Sequence, residues 1–325
     1  MLRKLVFSSM ALSASLLNAQ SAQNWQDPTP TPQWTDDGKV MMSHAASGRS
    51  VEREPLSFAF NSLEFPGANF TLTFGINNQE QVVGSYFLPP GRQHALLIDQ
   101  GEFKPLAPSS VLGNHLSQAF DINERGDVVG AYVDDLGVRH GFLLSNDVAS
   151  NIDFPGATRS DAFGINNSGV IVGDFFDAAG TVHGFVLQDG TLRELDFPGA
   201  VDTQALSINN AGDIVGAWDT DPDTRGHGFL LTGEGRFISI DDPDAAPQST
   251  SAIGINDRGQ IVGSYEDGFG VTHGFVLAGG SFTSVNFPGA DLTSCRAINN
   301  QGEIVGNYFI GDIVAAGFLA KPAQH

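Results

Sequence analysis

Cysteine is almost absent from this 325-residue chain. The single one, Cys295, leaves no partner for an intramolecular disulfide and excludes a zinc site built of several thiolates. Positive charge is scarce too: 16 Lys and Arg stand against 37 Asp and Glu, a formal net charge of −21. That balance argues against nucleic acid and anionic lipid as partners. Charged residues make up only 16% of the chain, against a usual ~25%, too few for a coiled coil or a helical bundle. After the first twenty residues no apolar run approaches the ~20 residues that span a bilayer. What the chain does have is 39 glycines, well above the usual ~7%, and a hydrophobic fraction of 41% that excludes a disordered chain. The composition is that of turn-rich β-structure.

At the N-terminus, Arg3 and Lys4 precede an apolar run from Leu5 to Leu17, and small residues follow at Ala19, Ser21 and Ala22. This order is that of a secretory signal peptide, here residues 1–22, and it predicts a protein secreted or delivered to the periplasm. Residues 23–56 are polar, and the alternating Pro28, Pro30 and Pro32 favour a stiff, extended linker.

From residue 57 to 320 the chain repeats itself six times. An Ile-Asn pair recurs at Asn77, Asn123, Asn166, Asn209, Asn256 and Asn299, with steps of 46, 43, 43, 47 and 43 residues. Six positions after each isoleucine comes Val or Ile followed by Val-Gly, beginning at Val82, Val128, Ile171, Ile214, Ile261 and Ile304. A histidine triplet follows at His94, His140, His183, His227 and His273, and the sixth copy has Ala316-Gly317-Phe318 instead. Phe-Pro-Gly-Ala begins at Phe65, Phe154, Phe197 and Phe287, and degenerates to Asp242-Pro243-Asp244-Ala245 once. Within the third copy, Asn167-Ser168-Gly169, Asp177 to Gly180 and Asp189-Gly190 separate four short apolar strands. Four-stranded meanders at this period predict β-propeller blades.

The phase of the repeat tests closure. The last copy supplies three strands and lacks an outer one, while Phe58 to Phe65 reads as an outer strand without a blade. Joined, the two fragments make one blade and remove two open ladders. The predicted architecture is all-β: a six-bladed propeller of four-stranded antiparallel blades, closed by an N-terminal outer strand, with a tail at 321–325. An open β-solenoid is the competing arrangement, and it would leave no orphan strand at each end.

The Ile-Asn-Asn-x-Gly-x-Ile-Val-Gly core and the histidine triplet resemble the bacterial extracellular repeat family named for its His-Ala-Phe (HAF) motif. The resemblance covers roughly Phe58 to Ala320. This chain mostly carries His-Gly-Phe, and His94-Ala95-Leu96 keeps the alanine but loses the phenylalanine. The resemblance implies export and brings no catalytic residues.

The candidate functional residues divide by mechanism. Histidines in equivalent places on neighbouring blades stand about ~10 Å apart, too far to share one ion, and read as structural imidazoles bonding backbone at blade junctions. The six asparagines read as strand-end residues that bond local backbone. Asp219-x-Asp221-x-Asp223 is the candidate calcium half-motif, with Pro222 interrupting it. Cys295 aligns with Ala162 and reads as a small core filler. No motif of a serine hydrolase, zinc protease or phosphate loop occurs, and no catalytic residue is assigned. Meander geometry puts the turns between second and third strands on the same rim as the crossovers, and that rim collects Asp134, Asp177, Asp221 and Asp267. The expected function is a non-enzymatic, monomeric binding or scaffold module whose acidic rim meets a polysaccharide, a basic protein or a cation. No cofactor is called for beyond that calcium candidate. The alternative is an extracellular carbohydrate-active enzyme, a glycoside hydrolase or lyase, on the same ring.

Overall fold

The computed structural model describes residues 57–88, 92–106, 116–221, 226–311 and 314–323. The expected signal peptide and linker lie outside these residues. The described chain forms 24 strands in six four-stranded antiparallel sheets. The first strand, β1 (Phe58–Leu63), stands apart. Blade one holds β2 (Phe70–Ile76), β3 (Val82–Leu88), β4 (Arg92–Asp99) and β5 (Glu102–Pro105). Blade two holds β6 (Leu116–Ile122), β7 (Val128–Val133), β8 (Arg139–Ser145) and β9 (Val148–Ile152). Blade three holds β10 (Arg159–Ile165), β11 (Ile171–Phe176), β12 (Val182–Gln188) and β13 (Thr191–Leu195). Blade four holds β14 (Asp202–Ile208), β15 (Ile214–Asp219), β16 (His227–Leu231) and β17 (Phe237–Ile240). Blade five holds β18 (Thr250–Ile255), β19 (Ile261–Glu266), β20 (Thr272–Ala278) and β21 (Ser281–Val285). Blade six takes β22 (Leu292–Ile298), β23 (Ile304–Ile310) and β24 (Val314–Pro322), and is completed by β1.

Closure is as the repeat phase predicts. β1 pairs antiparallel with β24, with Leu63 opposite Gly317 and Ser62 opposite Phe318. β2 packs against both β6 and β22, so the inner strands form a ring. β24 runs to Pro322, which faces Phe58, so the first two residues of the expected tail belong to the sheet.

The repeated residues hold this geometry by simple contacts. In the Val-Gly step the glycine lies under an inner-strand carbonyl. A Cβ at Gly84, Gly216 or Gly263 would meet Leu72 O, Gln204 O or Ser251 O at 1.9 Å. The phenylalanine of the histidine triplet fills the space over that glycine, and Phe142, Phe185, Phe229, Phe275 and Phe318 are fully buried. The triplet's own glycine faces the next blade: a Cβ at Gly274 would meet Cys295 Sγ at 2.6 Å. Cys295 is wholly buried there, and burial raises its thiol pKa far above the ordinary value. It is a core filler, as its alignment with Ala162 predicts.

Phe-Pro-Gly-Ala is a tight turn. Proline takes its second position and glycine, at positive φ in Gly67, Gly156, Gly199 and Gly289, its third. The alanine N–H of each bonds back to the phenylalanine carbonyl at 3.0–3.1 Å. Where the motif degenerates, Asp242 Oδ1 accepts the Asp244 N–H at 2.9 Å, and no glycine is needed.

One feature has no counterpart in the sequence reading. Every inner strand carries a bulge, at Phe74, Phe120, Phe163, Leu206, Ile253 and Arg296. A bulge adds one residue to one strand and re-aims its side chain. These six residues converge on the ring axis.

Candidate functional site

Each of the histidines His94, His140, His183, His227 and His273 opens the third strand of its blade, on the crossover rim. Each faces an aromatic ring of the second strand: Tyr86, Tyr132, Phe175, Trp218 and Tyr265, at centroid distances of 4.7–5.6 Å. In blades one, three and four the Phe-Pro-Gly-Ala phenylalanine stacks on the far side of that ring, as Phe154 does on Phe175 at 3.8 Å. In blades two to five the imidazole Nδ1 meets a side chain rather than the expected backbone. Nδ1 meets Asp153 at 2.8 Å, Asp196 at 2.8 Å, Asp241 at 2.6 Å and Asn286 at 3.2 Å in blades two to five. The physical reason is position: the outer strand ends beside the histidine and offers a side-chain oxygen there.

The rim aspartates are engaged in their own turns. Asp134 Oδ1 accepts N–H from Leu136 and Val138, Asp177 Oδ1 from Ala179 and Thr181, and Asp267 Oδ1 from Phe269 and Val271, all at 2.8–2.9 Å. The second oxygen of Asp134 and of Asp267 points to histidine, 3.4 Å from His140 and 3.1 Å from His273. The Val138 N–H, with His140 behind it, holds the Asp134 carboxyl below its ordinary pKa, and the Val271 N–H with His273 does the same at Asp267. Asp221 lies exposed in the blade-four turn. Asp219 is half-buried, and desolvation with the neighbouring Asp202 charge raises it to about 6. Asp223, the third member of the calcium half-motif, lies outside the described residues.

The same rim carries exposed apolar tips, which the sequence reading missed. Leu136 is 87% exposed and Phe269 94%, each at the end of a turn between second and third strands. Val201 and Ile310 add to them. Among the described residues, Arg139 and Arg159 on this rim turn inward. Arg139 Nε and Arg159 Nη2 both reach the fully buried Asp161, and Arg139 Nη2 bonds Gln118 at 3.0 Å. Beside them Asp174, also fully buried, is raised by desolvation and by the Asp161 charge. The outward face of this rim is therefore acidic and apolar where side chains are described.

The opposite rim holds two hydrogen-bonded rings about the axis. In the first, the Nδ2 of each buried asparagine donates to the backbone carbonyl of its counterpart in the next blade. The series Asn77 to Asn123, Asn166, Asn209, Asn256, Asn299 and back to Asn77 runs at 2.9–3.4 Å. Each Oδ1 meanwhile accepts the N–H groups two and four residues on, as the local reading predicts; Asn166 does so from Ser168 and Val170 at 3.0 Å. In the second ring, the side-chain oxygens of Asn78, Glu124, Asn167, Asn210, Asp257 and Asn300 accept the N–H of the preceding blade at 2.7–3.0 Å. These rings surround a vestibule that is open to solvent. At its floor Asp121 faces the channel, accepting N–H from Ile122 and Ile165 at 2.9 and 3.0 Å, and desolvation raises it to about 7. Beyond it the bulge residues narrow the channel, with Arg296 among Phe74, Phe120, Phe163, Leu206 and Ile253. Burial lowers the Arg296 guanidinium to about 10.

No family model and no curated protein matches the chain. Among solved structures it is similar to a protein of unknown function from Dyadobacter fermentans, at 9% identity and a TM-score of 0.50, covering 82% of this chain and 99% of that one. It is similar to the SapL1 lectin in complex with alpha methyl fucoside, at 13% identity and a TM-score of 0.47, over 83% and 96% of the two chains. TolB from Acinetobacter baumannii is matched at 12% identity and a TM-score of 0.46, over 78% of this chain, which spans 55% of TolB. At these identities the likeness is one of fold. The class is thus defined by the fold: a six-bladed, all-β propeller built of sequence repeats and closed by its first strand.

Proposed function

We propose that this propeller is an exported, non-enzymatic binding module whose crossover rim engages a cationic segment of a partner protein. One observation carries the reading: among the described residues, the outward tips Leu136 and Phe269 stand within an acidic rim, while Arg139 and Arg159 are drawn inward onto Asp161. Exposed apolar side chains among like charges suit a partner that offers apolar contact and opposite charge together. The turns that carry the tips are fixed by the aspartate bonds, so little ordering is required on binding. The rings on the other rim use their asparagines to join blades, which leaves the crossover rim as the face built for contact. Among the described residues no helix is long and apolar enough to cross a membrane.

Capture experiments with exported proteins test this reading. A basic partner is expected, its binding weakened by salt and weakened ~10-fold or more by Leu136→Ser with Phe269→Ser. Binding that is indifferent to both variants and to salt contradicts it. Turnover of a polysaccharide by the purified chain would replace it with the enzyme reading.

A further inference from the structure

Blade three differs from blades two, four, five and six at one rim position. The residue opposite the buried phenylalanine is Asn151 in blade two, Ser239 in blade four, Ser284 in blade five and Ser62 in blade six, but Glu194 in blade three. In blades two, five and six that residue bonds a tyrosine hydroxyl: Tyr132 to Asn151 at 2.9 Å, Tyr265 to Ser284 at 3.1 Å and Tyr308 to Ser62 at 2.9 Å. Blade three has Phe175 there, with no hydroxyl, so the outer-strand residue has lost its partner. Glu194 turns instead toward His183.

The result is a convergence of three ligand atoms. His183 Nδ1 lies 2.8 Å from Asp196 Oδ2 and 3.8 Å from Glu194 Oε1, and one ligand atom from each residue lies within 4.8 Å of the others. Glu194 and Asp196 are two apart on one outer edge, hence on the same face. The histidines of blades two and four are partnered by one outer-strand aspartate each. A second carboxylate beside an imidazole already partnered adds a third potential ligand atom at that ring.

We propose that His183, Glu194 and Asp196 form a zinc site on the crossover rim, with a solvent-filled fourth position. Imidazole nitrogen excludes calcium or magnesium as the natural occupant, and the carboxylates favour zinc over a thiol-seeking metal. Tetrahedral zinc with ligands at ~2.0–2.1 Å separates ligand atoms by about 3.3 Å, a spacing that the two distances above bracket. On binding, the Nδ1 proton leaves to solvent and the nitrogen lone pair takes the metal. Asp177 lies on the other side of the ring: one of its oxygens is fixed by the Ala179 and Thr181 N–H groups, and the other is 3.8 Å from His183 Nε2, longer than a hydrogen bond. The site stands apart from the rim-docking reading and does not depend on it.

Titration of the untagged full chain with Co²⁺, followed by its visible absorption, and with Zn²⁺, followed by calorimetry, tests the site. One equivalent is expected to bind. Glu194→Ser, which installs the residue of blades four and five, is expected to weaken binding by at least ~10-fold, as is Asp196→Asn. His140→Asn, in blade two, is expected to leave binding unchanged. Glu194 is an exposed side chain, and thermal unfolding of the metal-free variant is expected to match the parent. Absence of saturable binding by the parent overturns the proposal. So does unchanged affinity in Glu194→Ser, or loss of binding in His140→Asn.

Discussion

Asp121 occupies a position where the other blades place Gly75, Gly164, Ser207, Gly254 and Ala297, and among the described residues it is the one carboxylate at that height of the channel. Burial raises its pKa from 3.8 to about 7, so the folded chain holds that proton more tightly than the unfolded chain does. The sign follows: stability is greatest below pH ~4 with respect to this group, and falls as pH rises toward 7. Asp121→Asn removes the charge and keeps an acceptor for one of the Ile122 and Ile165 N–H groups, which meet separate oxygens of the carboxylate. It is expected to flatten this part of the pH dependence and to add about 2 kcal/mol near pH 7, a value reduced from the full linkage by channel water. Urea unfolding at pH 4 and pH 7 measures it, and an unchanged slope contradicts the assignment. At this scale the sequence was partly legible. The turn-closing role of the asparagines follows from their place at strand ends. The histidine partners did not, although Asp153, Asp196, Asp241 and Asn286 follow their histidines by 13 or 14 residues, a spacing that marks the end of the outer strand. Glu194 becomes visible only when blades are aligned strand by strand, because its meaning lies in the tyrosine that blade three lacks.

Each blade depends on two close approaches that the motif encodes. The second-strand glycine lets an inner-strand carbonyl come within a distance no Cβ tolerates. Gly263→Ala would place its Cβ 1.9 Å from Ser251 O, and it is expected to cost more than ~3 kcal/mol or to prevent folding. Gly235→Ala, at positive φ with no atom within 4 Å, is expected to cost only ~1 kcal/mol. Thermal unfolding of the two variants separates close packing from backbone strain, and equal losses would contradict the packing argument. The asparagine ring belongs to the same scale. Asn256→Ala removes bonds to Asn299 O, Gln260 and two turn N–H groups, and is expected to destabilise by ~3 kcal/mol in urea. A loss below ~1 kcal/mol would show that the ring carries little of the cohesion between blades. Strand existence and phase were legible here because alternation and turn glycines are local. The bulges were not, since Phe74, Phe120 and Phe163 read as ordinary strand residues until the channel gives them a direction.

At the scale of the whole molecule, the ring orders its charge. One rim is spent on joining blades, and the other collects acids and apolar tips around histidine stacks. Both assignments follow from the phase of the repeat, which required the first strand to complete the last blade; a leftover outer strand at one end and a blade lacking one at the other were enough to infer the circle. Closure is therefore what the rest stands on. Ala59 and Lys321 are directly opposed in β1 and β24, so cysteines at these two positions test it most directly, in a chain whose Cys295 is replaced by the alanine found at the aligned Ala162. Mild oxidation of the dilute protein is predicted to give one intramolecular disulfide, with both thiols protected from labelling and the thermal midpoint raised by several degrees. Two thiols that stay open to labelling, or that cross-link only between molecules, would contradict the closed ring.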